Sequence, residues 1–173
     1  MTRFPALAGF TAVLTLMAAP ALHAQGDANA SAETIALTYM SHYSDVDWDA
    51  MEALLAEDVV FRDPTAESPE LGAAGIAGNG RDAMMSLLRA FSETYHPIEL
   101  GFEWDKVFTS NSRVVFVGHV NALYPAQEEG QVFRWRSEQV TVITVRDGLV
   151  VEHQDFANYV SPEQGLIDVQ TGH

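Results

Sequence analysis

The sequence predicts an α+β fold in which three N-terminal helices pack into a curved, mostly antiparallel sheet. Apolar residues recur at helical spacing in three segments before Pro97, and from Ile98 onward they recur at every second position. A change of period from about 3.6 residues to about 2 marks the change from helix to strand. Helices followed by a meander of long strands leave a cone-shaped hollow between the two layers, and small-molecule pockets often form in such hollows.

The three helices are predicted from their apolar stripes and from the residues at their ends. The first covers residues 32–43, the second begins after Asp47, and the third covers residues 81–95. Asp47 is a good N-cap because its side chain can accept a hydrogen bond from a free backbone N–H. Pro97 ends the third helix, since a residue before proline avoids the helical conformation. The inward apolar residues are Ile35, Tyr39, Tyr43, Trp48, Met51, Leu54, Leu55, Met84, Leu87, Leu88, Phe91 and Tyr95.

The strands are predicted from alternation and from turn residues. A short strand at residues 59–61 ends at Asp63-Pro64, and residues 65–80, rich in Gly, Ala and Pro, are interpreted as a surface loop. Asp147-Gly148 is the strongest hairpin signal, because this pair adopts the backbone of a tight turn readily. The long strands are expected to begin at Ile98 and to cover residues 113–124, 131–146 and 149–159.

Composition excludes several classes of function. The chain carries 24 acidic and 9 basic residues, for a formal charge of −15. It has no cluster of Lys and Arg that could neutralise phosphates, so we expect no nucleic-acid partner. Cysteine is absent, which excludes disulfides, thiolate nucleophiles and cysteine-based metal sites. His119, His153 and Asp155 could together ligate a metal, but no ligand-spacing motif supports this, and we expect neither a metal nor a cofactor.

The N-terminus is typical of an exported protein. A short positive start is followed by an apolar run over residues 4–19, and then by Ala21-Leu22-His23-Ala24, which is similar to a cleavage site. We therefore predict a signal peptide over residues 1–24, cut after Ala24 or alternatively after Ala21, and a periplasmic or secreted product without a stable membrane anchor. An uncleaved N-terminal anchor is the alternative. Residues 25–32 are predicted to be a flexible leader, residues 33–160 the domain, and residues 161–173 a loosely held tail.

The last predicted strand carries the candidate chemistry. Residues two apart in a strand share a face, so His153 and Asp155 are expected to point the same way. Val151, Ala157 and Tyr159 share that face, while Glu152 and Gln154 belong to the other. If the first face lines the hollow, an acid and an imidazole enter it together. Otherwise Asp155 is a strand-end carboxylate in solvent and His153 a packed ring.

Two motifs give the chain a resemblance to a known family. They are Phe61-Arg62-Asp63-Pro64 and Val145-Arg146-Asp147-Gly148-Leu149-Val150, the second leading to His153-x-Asp155. Over residues 33–159 the chain resembles the SnoaL-like and ketosteroid-isomerase-like branch of the nuclear transport factor 2-like superfamily. The resemblance implies a cystatin-like α+β barrel with a conical pocket. It specifies the reaction poorly, because this fold hosts many activities.

The resemblance implies roles for particular residues. Asp63 matches the general base of ketosteroid isomerases and Tyr39 their oxyanion-hole tyrosine, but Thr141 stands where a protonated acid is expected. Asp155 matches the last-strand acid/base of SnoaL-like cyclases and one member of the Asp-Arg-Asp set of limonene-epoxide-hydrolase-like proteins. At the other positions of that set this chain has His119 and Asn121, so neither set is complete.

Other strands supply candidate binding residues. His119 and Asn121 share an otherwise apolar face, where unpaired polar groups are costly, so they are candidates for orienting a ligand. Phe133 and Trp135 begin a face of the penultimate long strand that continues through Ser137, Gln139 and Thr141 and offers an aromatic floor. The opposite face, with Arg134, Arg136 and Glu138, is either solvated or a dimer contact; we expect a homodimer.

Two functions fit these residues. The first is an exported acid/base isomerase, cyclase or hydrolase that acts on a small apolar carbonyl or epoxide compound. Asp155 is then the main acid/base, with Asp63, Tyr39 and His153 assisting it and His119, Asn121, Phe133, Trp135 and Thr141 contacting the substrate. The second is a non-catalytic binding or accessory protein that holds a small apolar ligand in the same pocket. The sequence does not decide between them.

Overall fold

Three helices and seven strands make up the described part of the chain. The computed structural model describes residues 19–66 and 75–169, with side chains from Ser31 onward. The helices are α1 (Ala19–Ser44), α2 (Trp48–Glu52) and α3 (Arg81–Tyr95). The strands are β1 (Leu55–Asp63), β2 (Ile76–Asn79), β3 (Glu103–Ser110), β4 (Arg113–Pro125), β5 (Gln131–Arg146), β6 (Leu149–Ala157) and β7 (Glu163–Asp168). This confirms the predicted α+β class.

The strands form a single sheet with the order β2-β1-β6-β5-β4-β3. Neighbouring strands are antiparallel, except that β1 and β6 run parallel. Strand β7 pairs with the first part of β5, while β6 pairs with the rest of it. The helices cover one face of this curved sheet. Their apolar stripes meet the inward side chains of β4, β5 and β6 in one core that includes Tyr39, Met51, Leu55, Met84, Phe116 and Ile143.

Local sequence signals set several element boundaries as predicted. The Asp47 side chain accepts a hydrogen bond from the backbone N–H of Ala50 at 3.2 Å and so caps α2. Helix α3 ends at Tyr95, and the next residue, His96, adopts the left-handed conformation directly before Pro97. Asp147 and Gly148 both have positive φ, of 52° and 81°, as the tight turn between β5 and β6 requires.

The C-terminal part of the chain is more ordered than predicted. Residues 161–173 were expected to form a loose tail, but Glu163–Asp168 form strand β7 on the edge of β5. The pairing is possible because β6 and its hairpin leave residues 131–136 of β5 without a neighbour on that side. Residues 170–173 lie outside the described residues.

Three further differences concern element bounds. Helix α1 begins at Ala19, so it includes residues 25–32, where a flexible leader was expected; alanine is frequent there and favours helix. Strand β2 lies within the predicted surface loop, pairs with β1, and is short because its sequence is Ile-Ala-Gly-Asn. Strand β3 begins at Glu103 instead of Ile98, because Gly101 turns the chain with a φ of +54°.

Two predictions about the N-terminal half fall on residues that are not described. Residues 1–18 of the predicted signal peptide and residues 67–74 of the predicted loop lie outside the described part of the chain. Among the described helices, none combines the length and apolar character needed to cross a membrane. The domain boundaries and the cleavage site therefore stay predictions.

Candidate active site

A cavity of about 730 Å³ lies between helix α3 and the inner face of the sheet. Its walls are mostly apolar and aromatic, and its polar lining residues are two carboxylates, one amide and the hydroxyl-bearing tyrosines. The carboxylates belong to Asp63 and Asp155, and the amide to Gln139. The apolar and aromatic lining residues include Tyr43, Phe61, Leu88, Phe91, Phe102, Val120, Tyr124, Phe133, Trp135 and Tyr159.

Asp155 is a buried carboxylate at the cavity wall with one oxygen held and one free. Its residue is 5% exposed. The Oδ1 atom accepts hydrogen bonds from Gln139 Nε2 at 2.8 Å and from Thr141 Oγ1 at 2.5 Å. Thr141 stands directly opposite Asp155 in the β5–β6 ladder, which explains the short contact. The Oδ2 atom accepts no hydrogen bond from the described residues and is therefore available to a ligand.

His153 lies behind Asp155 and does not line the cavity. Its side chain is fully buried, and its Nε2 atom lies 3.0 Å from Asp155 Oδ1. The distance suits an ion pair, although the N–H direction is not that of a good hydrogen bond, and Nε2 has no other partner in the described chain. Tyr39, Tyr43 and Phe61 meet the imidazole ring edge to face, with ring centroids 5.1–5.5 Å away.

Tyr39 contacts the buried imidazole of His153. The Tyr39 hydroxyl lies 2.7 Å from His153 Nδ1. Burial, and after it the negative charge of Asp155, raises the pKa of Tyr39 well above its ordinary value, so the hydroxyl stays protonated. The other ring nitrogen of His153, Nε2, faces Asp155. Tyr39, His153 and Asp155 thus form a buried chain that ends at the cavity.

Asp63 is held by hydrogen bonds on both of its oxygens. Oδ1 accepts from the backbone N–H groups of Thr65 and Ala66, each at 3.0 Å, and from Thr65 Oγ1 at 2.7 Å. Oδ2 accepts from the Tyr159 hydroxyl at 2.6 Å. The first set is the local turn that an Asp-Pro sequence favours. Because its acceptor positions are occupied, Asp63 anchors the turn and the end of β6, and it is the less available of the two cavity carboxylates.

Tyr43, one turn after Tyr39 on helix α1, supplies a hydroxyl to the cavity. It lines the wall and makes no hydrogen bond with the described residues. Burial raises its pKa well above the ordinary value, and the charges of Asp155, Tyr39, Tyr159 and Asp63 add to the effect. The hydroxyl therefore stays protonated. It can donate a hydrogen bond to an oxygen atom of a ligand.

The predicted site residues fall into three groups. Asp63, Asp155, Phe133 and Trp135 line the cavity. Tyr39, His153 and Thr141 lie behind its wall, where Tyr39 and Thr141 serve the buried network around Asp155. The third group is His119 and Asn121 on β4. The structure places them outside the cavity.

His119 and Asn121 were predicted to lie on the face of β4 that lines the pocket, and this prediction was wrong, because the neighbouring residues face inward instead. The buried residues of β4 are Val114, Phe116, Gly118, Val120 and Ala122. His119 and Asn121 therefore lie on the outer face, where Asn121 Nδ2 donates to Glu103 Oε1 at 3.0 Å and His119 Nδ1 lies 4.0 Å from Asp105. Both faces of β4 are rich in valine, so alternation alone did not reveal which face is buried.

The predicted inward face of β6 was wrong at one position, because the pairing of β5 with β6 contains a bulge. The register shifts between Thr144 and Val145 of β5, so that Val150, and not Val151, faces the core. His153, Asp155 and Ala157 are buried as predicted. Gln139, Tyr43 and Tyr159 were not proposed as site residues. A signal existed, because Gln139 shares the strand face of Phe133 and Trp135, and Tyr43 belongs to the apolar stripe of α1.

The described residues contain no group of three or more His, Asp or Glu side chains arranged to hold a metal ion. The side chains at the cavity can instead move protons and donate or accept hydrogen bonds.

Comparison with known proteins agrees with this architecture. The model of the SnoaL-like domain family matches residues 36–153, more than half of the 173-residue chain. The chain belongs to the SnoaL-like domain family. No curated protein sequence matches it significantly.

Several solved structures have a fold similar to that of this chain. A protein assigned as a SnoaL-like polyketide cyclase from Shewanella denitrificans OS-217 is 20% identical, with a TM-score of 0.61 over 74% of this chain and 90% of that one. An LEH-like epoxide hydrolase from M. tuberculosis is 16% identical, with a TM-score of 0.55 over 75% and 84%. A protein assigned as an isomerase from Bacillus subtilis is 20% identical, with a TM-score of 0.57 over 75% and 87%. At these identities the likeness establishes a common fold.

Proposed function

We propose that this SnoaL-like domain is an enzyme in which Asp155 transfers a proton to and from a small, apolar carbonyl compound. The observation that carries the proposal is the arrangement of the Asp155 carboxylate, which is buried at the wall of an apolar cavity with Oδ1 held by two hydrogen bonds and Oδ2 free. A fixed carboxylate with one open oxygen has the geometry of a general base.

The reaction follows from the groups around the cavity. Asp155 Oδ2 removes a proton from the carbon next to the carbonyl group, and the C–H electron pair moves to form an enolate. The Tyr43 hydroxyl donates a hydrogen bond to the enolate oxygen, where the negative charge collects. Asp155 then returns the same proton to another atom of the substrate, which gives an isomer. Alternatively the enolate carbon attacks a second carbonyl group in the same molecule and closes a ring, and Asp155 returns its proton to the alkoxide oxygen that the attack creates.

Epoxide hydrolysis fits the cavity less well than carbonyl chemistry. Opening an epoxide leaves an alkoxide on the departing oxygen, which a cationic or acidic group must stabilise or protonate. No Arg or Lys is found among the described residues that line the cavity. The remaining acid, Asp63, is occupied by four hydrogen bonds. The isomerase or cyclase reaction is therefore the function that the geometry supports best.

Hydrogen exchange tests the proposal without knowledge of the natural substrate. A panel of apolar cyclic ketones is incubated with the protein in heavy water, and loss of the proton signal next to the carbonyl group is followed by NMR. We expect exchange with at least one ketone, and we expect Asp155→Asn to slow it by about 10²- to 10⁴-fold. Asp105→Asn is the matched control, because that side chain is 70% exposed on the outer face of the sheet. If ketones bind but none exchanges, the proposal fails.

A second candidate function is non-catalytic binding of an apolar ligand in the same cavity. It is favoured by one observation, namely that Asp63 has no free oxygen and so the site offers a single available acid. Under this alternative a hydrophobic dye binds to the wild type and to Asp155→Asn with similar affinity, and neither protein catalyses exchange. The exchange experiment and a dye titration together separate the two functions.

Export and homodimer formation remain proposals from the sequence. Intact-mass measurement on the protein secreted by its host should give a mature chain that begins at Gln25. Light scattering coupled to size-exclusion chromatography should give twice the monomer mass. An uncleaved chain or a monomer, respectively, would contradict them.

A further inference from the structure

The charges around the cavity are of one sign. Asp63 and Asp155 are both 5% exposed, and both line the cavity. None of the described lining residues is Lys, Arg or His. The whole chain has a formal charge of −15, so the surface does not offset this imbalance. The cavity is thus an apolar space with two carboxylates at its wall and no cation among its described lining residues.

The buried histidine does not supply the missing positive charge at the cavity. His153 is fully buried behind Asp155 and is not a lining residue. Its Nδ1 atom lies 2.7 Å from the Tyr39 hydroxyl and its Nε2 atom 3.0 Å from Asp155 Oδ1, so both ring nitrogens belong to the buried network behind the wall.

A carboxylate oxygen that has no hydrogen-bond donor and reaches an apolar cavity can pair with a cation from a ligand. Asp155 Oδ2 is such an oxygen. Aromatic rings lie on the walls around the carboxylates, among them Tyr43 and Phe102, whose centroids are 5.3 Å apart, and Trp135 and Tyr159, whose centroids are 5.6 Å apart. The faces of such rings attract organic cations. A carboxylate bordered by aromatic faces is the combination that recognises a protonated amine.

We propose that the cavity selects its ligand by charge, and that it binds an apolar organic amine in its protonated form in preference to a neutral compound of the same shape. A carboxylate or phosphate of that shape is excluded, because it would lie beside two like charges with no basic lining residue to pair with. The inference rests on the proposed function in one respect, that ligand and substrate share this cavity.

Three probes of one shape test the inference directly. Naphthylmethylamine, naphthylmethanol and naphthoate share a flat ring system and differ in charge, and calorimetry at neutral pH gives their affinities for the full chain. We expect the amine to bind about 10-fold to 100-fold more tightly than the alcohol, as a charge-assisted contact in a desolvated site should. Naphthoate should show no measurable binding.

Two variants locate the effect. Asp155→Asn should reduce the amine preference to within about two-fold of the alcohol while the alcohol affinity stays the same. Asp105→Asn removes the same charge from the outer face and should leave the preference intact. Circular dichroism confirms that both variants are folded, and the three-probe comparison on the wild type needs no variant.

The outcomes separate this inference from the proposed function. Equal affinities for amine and alcohol, or binding of naphthoate, would overturn charge selection even if ketone exchange is observed. An amine preference without any ketone exchange would support charge selection and count against the enzyme. An amine preference that survives in Asp155→Asn would show that the cation binds elsewhere, and the inference would be wrong.

Discussion

Replacing Tyr39 by Phe tests the buried chain that ends at Asp155. The change removes one hydroxyl and keeps the ring, and it leaves His153 Nδ1 without its partner at 2.7 Å in a fully buried position. A lost hydrogen bond that leaves a buried polar atom without a partner costs about 1–3 kcal/mol. For a domain of this size we therefore expect the melting temperature to fall by several degrees, since about 1 kcal/mol corresponds to ~2–4 °C.

Tyr43→Phe is the matched control for this prediction. Tyr43 is on the same helix and equally part of the core, but its hydroxyl makes no hydrogen bond with the described residues. Its removal should change the free energy of unfolding by less than about 0.5 kcal/mol. Urea unfolding followed by tryptophan fluorescence measures both, since the chain has three tryptophans. Equal costs for the two variants, or a cost below about 0.5 kcal/mol for Tyr39→Phe, would refute the assigned role of the Tyr39 hydroxyl.

Two further predictions concern pH and backbone contacts. Burial is the main cause of a raised pKa at four tyrosines, namely Tyr39, Tyr43, Tyr124 (to about 12) and Tyr159. An unfolded chain releases these protons near pH ~10 while the folded chain retains them, so the stability is intact below that pH and decreases above it. Between pH ~8 and ~12 the urea midpoint should fall as phenolate absorbance appears. A urea midpoint that rises with pH would be inconsistent with buried tyrosines. Gly118→Ala should cost more than about 2 kcal/mol, because its Cβ would lie 2.0 Å from the carbonyl oxygen of Glu103. Gly165→Ala, with no atom within 4 Å, should leave the urea midpoint nearly unchanged, and similar costs for both would show that β3 yields at this contact.

The sequence was most informative where one face of a strand was clearly apolar or clearly carried the candidate chemistry. On β5, Phe133 and Trp135 alternate with Arg134 and Arg136, and the aromatic residues do line the cavity. On β6, His153 and Asp155 do face inward together. These two strands predicted the candidate site because the inward and outward residues differ in character.

The sequence was less informative where the two faces of a strand have similar residues, and where the distance of a residue along a helix decides whether it reaches the cavity. Strand β4 has valine on both faces, and the inward position at its centre is occupied by Gly118, which gives no hydrophobic signal. Tyr39 and Tyr43 belong to one helical stripe, so periodicity predicts that both face the sheet. Which of them reaches the cavity depends on how far along the helix the cavity lies, and this is set by tertiary packing.

Short or edge elements were missed for a different reason. Strands β2 and β7 contain glycine and few β-branched residues, so their propensity for strand is weak. Each exists because a longer strand offers free backbone groups beside it, β1 in the first case and β5 in the second. Such pairing is a property of the assembled sheet and is not visible in the segment itself.

The parallel pairing of β1 with β6 has a consequence for how the cavity assembles during folding. The hydrogen bond between Tyr159 and Asp63 joins residues 96 positions apart, and β3, β4 and β5 all lie between them in the chain. Contacts of such long sequence separation carry a large entropic cost and tend to form slowly. The hairpins of β3 to β6 can form early, whereas the two carboxylates come together only when β1 docks. Recovery of ligand binding after refolding should therefore lag behind recovery of secondary structure.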